Sequence, residues 1–417
     1  MVNQDASRST LAALMVACGF TYLMSNIAQF GLYYANIPPF ATELLVQILI
    51  AAILILSYSR TGIRSDIFTI EYRNIMILLS TLLLSTFVSY IYSSRSVLVN
   101  QLLIQYVRAL VILITLAQAI VATRSSRLVS YGALLLAVVG SLINLQDFVD
   151  PTFSQVPGRA AGLYENPNVS GAILVYLGLI GSFELAVMPT YLLWAVVSMG
   201  AALTFSRSAW IMLIVALVGL AVEGRLGRGR GRIIFVGMIS ILVGFIFLSL
   251  LSGDLYYIVS RSPLAEYLDP NTVARLGASG SLVDDYSSFE REGVLRAGWR
   301  AFLDAPVLGH GLGFTREWDQ PVSTHNMFVL FLAERGLIGC LLYVGLLGAI
   351  LLYSRGTARL LAVAVCIDAF FTHNQLDLMC EVCVISVIVA SIGVRQTALD
   401  RPLTSTSKAW RSRKFEA

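Results

Sequence analysis

Apolar stretches about as long as a bilayer is thick recur from one end of this 417-residue chain to the other. A spanning helix needs roughly 20 such residues, and in lipid only helices or closed barrels satisfy the backbone polar groups. The stretches are continuously apolar and do not alternate, which selects helices. Charged residues make up 13% of the chain, about half the share found in soluble domains. The expected fold is therefore all-α: a polytopic integral membrane protein of about 12 transmembrane helices with one large outer loop containing helices. The helices are expected near 9–31, 40–58, 74–92, 98–122, 128–147, 169–187, 191–206, 209–224, 233–252, 337–353, 359–373 and 381–395, with only Met-Pro-Thr between the sixth and seventh.

Orientation follows from the arginine and lysine bias. With the first helix starting inside, the inner connections and tail hold 18 positive residues, while the short outer loops hold Arg95 and Arg159, with Arg207 at a helix end. Both termini are expected to be cytoplasmic. Four segments result: helices 1–9 over 1–252, an outer loop over 253–336, helices 10–12 over 337–395, and a basic tail over 396–417. The first apolar run is long enough to remain as an anchor and not a cleaved signal. The five cysteines lack metal-ligand spacing and read as small buried hydrophobes. The inner GRLGRGRGR reads as a topology signal or an anionic-lipid contact. Neither a nucleic-acid partner nor a cofactor is expected, and the chain is taken as a monomer among membrane lipids.

Three constellations could carry chemistry at the outer face. In TFSRSAW, Arg207 sits between two apolar helices at the membrane boundary, placed either to snorkel to headgroups or to bind an anion with its planar fork. In SSFEREGVLRAGWRAFLDAP, Ser287 or Ser288 can cap a helix that Pro306 closes. Arg291, Arg296 and Arg300 lie along it, open to surface ion pairing or to anion binding. In STHNMFVLFLAERGLIG, His325 can exchange a proton near neutral pH, or the Thr-His-Asn group can simply cap a helix. That helix is expected to lie against the membrane until Gly336 and Gly339 turn the chain into the next span. Arg108 and Asp368, at similar depth in two spans, are expected to pair, since each alone is costly in lipid.

Together these stretches resemble the bacterial O-antigen ligase family of the O-antigen polymerase/ligase superfamily. His325-Asn326, nine residues and then Gly336-Leu337-Ile338-Gly339 look like its H[NSQ]-x9-G-x-x-G signature. FEREGVLRAGWRAFLDAPVLGHGLGF resembles its arginine helix followed by P-x-x-G-x-G, with Arg291 at the place of the functional arginine. TFSRSAW is similar to its Ser-Arg at a periplasmic helix end, and GLYENPN to its NPN loop. His310 departs from the family, where a small or apolar residue is common.

The resemblance implies glycosyl transfer at the periplasmic face of the inner membrane, inverting and metal-independent. The donor would be an O-antigen chain on undecaprenyl diphosphate and the acceptor a sugar hydroxyl of lipid A–core. It implies His325, Arg207 and Arg291 as catalytic, and Asn326, Arg159, Asn168, Arg296 and Arg300 as substrate-binding. O-antigen polymerase, protein O-oligosaccharyltransferase and a lipid-linked sugar flippase are the alternatives. The basic tail weighs against the second, and the gathering of candidate residues on one side against the third.

Overall fold

The computed structural model describes residues 2–29, 32, 36–61, 69–156, 158–227, 229, 233, 235, 237, 261, 286–320 and 322–393, with backbone alone for 2–9, 60–61 and 286–291. The expected ninth span, the outer loop before residue 286 and the basic tail lie outside these residues. Among the described residues the chain is helical and holds no strand. In chain order the helices are α1 Val2–Met24, α2 Pro39–Thr61, α3 Ile70–Ile91, α4 Val97–Thr123 and α5 Ser126–Val149. Then come α6 Pro167–Gly181, α7 Val187–Ala202, α8 Arg207–Val222, α9 Tyr286–Asp304, α10 Phe314–Glu317, α11 Met327–Tyr353, α12 Thr357–Asp368 and α13 Met379–Gly393.

Five helices, Pro39–Ser59, Ile70–Ile91, Val97–Thr123, Ser126–Val149 and Met327–Tyr353, are long and apolar enough to cross a membrane. Large apolar side chains stand exposed along them, among them Leu45, Ile55, Ile77, Leu84, Leu135 and Leu341. In water such a surface would be costly, and in lipid it is the natural exterior, so this is an α-helical membrane protein. α6 and α13 are apolar on every side and buried on every side, which marks them as the centre of the bundle. α13 packs on α1, α4 and α12, while α6 packs on α5, α7, α8 and α12.

Two expectations are corrected. The break between the sixth and seventh helices falls at 182–186, not at Met-Pro-Thr. Pro189 lies in the first turn of α7, where a missing N–H removes no helical bond. Arg108 does not pair with Asp368: its Nη2 meets Glu43 Oε2 at 2.9 Å, with the guanidinium 5.0 Å from the Phe40 ring. α4 packs on α2 and α13, whereas α12 packs on α6, α8, α11 and α13. Sequence position gives depth in the membrane but not which side of a helix faces which neighbour.

Of the two glycines expected to turn the chain, Gly336 does so and Gly339 stays helical. α11 runs from Met327 but bends at Gly336, whose φ of 61° and ψ of −162° are non-helical. The Pro-Val-Leu-Gly-His-Gly loop takes up the backbone groups the bend releases. Leu337 N–H donates to Pro306 O at 2.8 Å, His310 N–H to Ala333 O at 2.9 Å and Gly311 N–H to Glu334 O at 3.0 Å. A Cβ on Gly336 would stand 2.3 Å from the Val307 carbonyl carbon, so the loop fits only against glycine. The adjoining Glu334 and Arg335 are buried. Glu334 Oε1 accepts from Thr315 Oγ1 at 2.6 Å, and Arg335 donates to Thr86 Oγ1 at 2.9 Å between the rings of Tyr106 and Phe331.

Candidate active site

The N-termini of three helices meet in one place, and each is capped by its own side chain. Asn166 Oδ1 accepts the Asn168 N–H at the start of α6, with Pro167 as first helical residue. Ser206 Oγ accepts the Ala209 N–H at the start of α8. Asn326 Oδ1 accepts from Phe328 and Val329 at the start of α11. The residue before each cap, Glu165, Phe205 or His325, has positive φ. Arg95 before Ser96 and Arg124 before Ser125 share this conformation, so it is the chain's general way of turning into a helix.

Two devices fix the loop that carries Asn166. Asp147, 1% exposed at the end of α5, gathers five backbone N–H groups on its carboxylate. Oδ1 accepts from Thr152, Phe153 and Ser154, and Oδ2 from Ala161 and Gly162. Arg159 then ties this loop to the α7–α8 turn, with Nε donating to Thr204 O and Nη2 to Asn168 Oδ1, each at 2.7 Å.

A cleft opens where these termini converge. It is lined by Asn166, Asn168, Val169 and Ala172 of α6 and its cap, by Ser208 of α8 and by His325. Asp368, the segment Phe371–Asn374 and Glu381 complete the lining. Its free volume is about 30 Å³, the share of one water molecule in the liquid.

His325 and Asn168 thus share the cleft, with Arg207 exposed beside Ser208 at the first position of α8. The Asn326 side chain is occupied by capping and by a bond to Phe370 O, so the capping role open to the Thr-His-Asn group falls to Asn326. α9 spans the expected loop helix, starting at Tyr286 and ending at Asp304 ahead of Pro306. Arg291 belongs to it by backbone, in register with Val294, Gly298 and Ala301; the last three form its buried stripe. Arg296 and Arg300 lie on the exposed side of α9, lining a surface hollow with Trp299, and Arg296 pairs with Glu292. Among the described residues, no group of three or more His, Cys, Asp or Glu is arranged to hold a metal ion.

The sequence reading missed His373, whose ring lies against His325. Burial, with the Arg316 and His325 charges added, pushes its imidazole down to about 3. The neighbouring Asp377 is pushed up to about 6 by burial, against the pull of Arg316 at 3.0 Å. The available signal was a repeated tripeptide: Thr-His-Asn occurs at 324–326 and again at 372–374.

No curated protein matches the chain. Residues 190–344, from α7 to the middle of α11, match the model of a family described as O-antigen ligase. The matched stretch includes Arg207, Arg291 and His325, and leaves Arg159, Asn168 and His373 outside it. Enzymes of this family transfer glycans carried on lipids, by ligase- or polymerase-type reactions. Residues 190–344 are thus similar to the O-antigen ligase family, and they bring His325 to a cleft of converging helix N-termini.

Proposed function

We propose that the chain is an O-antigen ligase, transferring a polysaccharide from undecaprenyl diphosphate to a sugar hydroxyl of lipid A–core at the periplasmic face of the inner membrane. In this reading the chain crosses the membrane about 12 times, with both termini cytoplasmic and residues 253–336 periplasmic. One observation carries it: His325 and Asn168 face one cleft at three helix N-termini, beside Arg207. The partial positive charge at such termini favours anions, which suits a diphosphate leaving group, and a histidine suits a hydroxyl nucleophile.

The acceptor hydroxyl oxygen attacks the anomeric carbon while the bond from that carbon to the diphosphate oxygen breaks. The hydroxyl proton passes to His325, and the bonding pair leaves with the diphosphate. Arg207 and Arg291 neutralise the charge developing there, a task that needs no metal. A single displacement inverts the anomeric configuration. Arg159 and Asn168 hold the cleft wall, and Arg296 and Arg300 meet anionic groups of the lipid-borne substrates from the exposed side of α9.

Purified protein mixed with undecaprenyl-diphosphate-linked glycan and lipid A–core tests the reading. Joined product is expected, lost in His325→Ala and Arg207→Ala and kept in the presence of a chelator. Extension of the lipid-linked glycan without transfer to the core would make the enzyme a polymerase. Full activity in both variants would overturn the site.

A further inference from the structure

The chain has three histidines, and the structure presses two of them together. His325 and His373 come from different loops, yet their rings meet edge to face with centroids 4.9 Å apart. Backbone and amide bonds clamp the two loops. Met327 N–H donates to Ala369 O at 2.9 Å, and Asn326 Nδ2 to Phe370 O at 3.4 Å. Both histidines line the same cleft, and His373 Nδ1 is buried without a hydrogen-bond partner. An orphaned buried nitrogen costs stability, and phenylalanine would fill this space without that cost. A ring nitrogen kept under such terms calls for a partner that arrives later.

We propose that His373 is a second catalytic histidine, donating a hydrogen bond to the acceptor hydroxyl oxygen while His325 takes that hydroxyl's proton. The inference rests on the glycosyl-transfer reading above. A hydroxyl has one proton and two lone pairs. The proton points to His325, one lone pair accepts the His373 N–H, and the other attacks the anomeric carbon. The carbon–oxygen bond to the diphosphate breaks, the diphosphate keeps its electron pair, and His325 ends as imidazolium. The cleft that both rings line has a free volume of about 30 Å³, room for a hydroxyl group. Burial and the neighbouring charges keep His373 neutral, so it offers its N–H without placing a second cation beside the His325 imidazolium. Holding the nucleophile in one orientation is a large part of such catalysis.

The test uses the full chain in detergent, with undecaprenyl-diphosphate-linked glycan and lipid A–core as substrates. His373→Phe keeps the ring and removes both nitrogens. It is expected to lower kcat at least tenfold, to leave the donor KM unchanged, and to unfold at no lower temperature than wild type. His373→Gln, which restores an N–H donor, is expected to recover several-fold over His373→Phe. Wild-type kcat in His373→Phe, with transfer abolished in His325→Ala, overturns this proposal and leaves the transfer reading standing. A loss in His373→Phe accounted for by less folded protein overturns it as well. Intact transfer in His325→Ala removes both.

Discussion

Arg159 Nη2 donates to Asn168 Oδ1 at 2.7 Å, and the same guanidinium holds the Thr204 carbonyl through Nε. One planar fork thereby sets the distance between the loop before α6 and the turn before α8, two walls of the cleft. Arg159→Lys replaces the fork with a single ammonium that cannot serve both directions. Initial-rate measurements are expected to show kcat reduced about tenfold to a hundredfold, the scale on which small misplacements act, with protein yield unchanged. Wild-type kcat in this variant would mean the walls are held otherwise.

Asp147 tests the same loop from below. Its carboxylate receives five N–H donors, and an amide in its place turns an NH₂ toward some of them. Asp147→Asn is expected to cost about 2–4 kcal/mol, the scale of leaving buried donors unpaired. A lowered thermal unfolding temperature of the detergent-solubilised protein is the readout, and an unchanged temperature would count against it.

Gly336 and Gly348 lie on the same helix and should respond in opposite ways. At Gly336 an added Cβ meets the Val307 carbonyl carbon at 2.3 Å with φ at 61°, whereas at Gly348 nothing stands within 4 Å. Gly336→Ala is expected to destabilise by about 2–4 kcal/mol through overpacking and left-handed strain. Gly348→Ala is expected to be neutral or to stabilise by up to about 1 kcal/mol. Unfolding temperatures of the two variants, measured side by side, decide the matter.

His373 and Asp377 act on pH stability with opposite signs. Unfolded His373 gains its proton near 6.5, but the folded ring only near about 3. The unfolded state therefore binds more protons in that window, and the contribution to stability falls as pH drops below 6.5. Asp377, moved from 3.8 up to about 6, binds its proton first in the folded state, so the stability it withholds at neutral pH returns as pH falls through 6. The two offset each other between about pH 6 and 4. His373→Phe removes one side, so its unfolding temperature relative to wild type should rise as pH falls from 7 to 5. A constant difference would contradict these assignments.

Much of the architecture was legible because membrane helices declare themselves by long apolar runs. The outer loop helix was legible from its closing proline, and the bend at Gly336 from a glycine that follows seven apolar residues and a Glu-Arg pair. What lay hidden was azimuth. Arg108 and Asp368 have similar depth, yet they face different neighbours, and Glu43 near the start of α2 takes the arginine. His373 was hidden for a related reason: its loop reaches His325 only through the fold, and only the repeated Thr-His-Asn hinted at it. Glu334 and Arg335 stood in plain view within an apolar segment, but nothing local tells that Thr315 and Thr86 receive them.

The splinted bend in α11 decides which wall of the cleft can yield. Because the loop from Pro306 to Gly311 fills every backbone vacancy around Gly336 that it touches, the segment leading back to His325 moves with its membrane span as a single strut. Any change in the shape of the cleft then falls to the start of α6 and the loop before it, which Arg159 and Asp147 anchor.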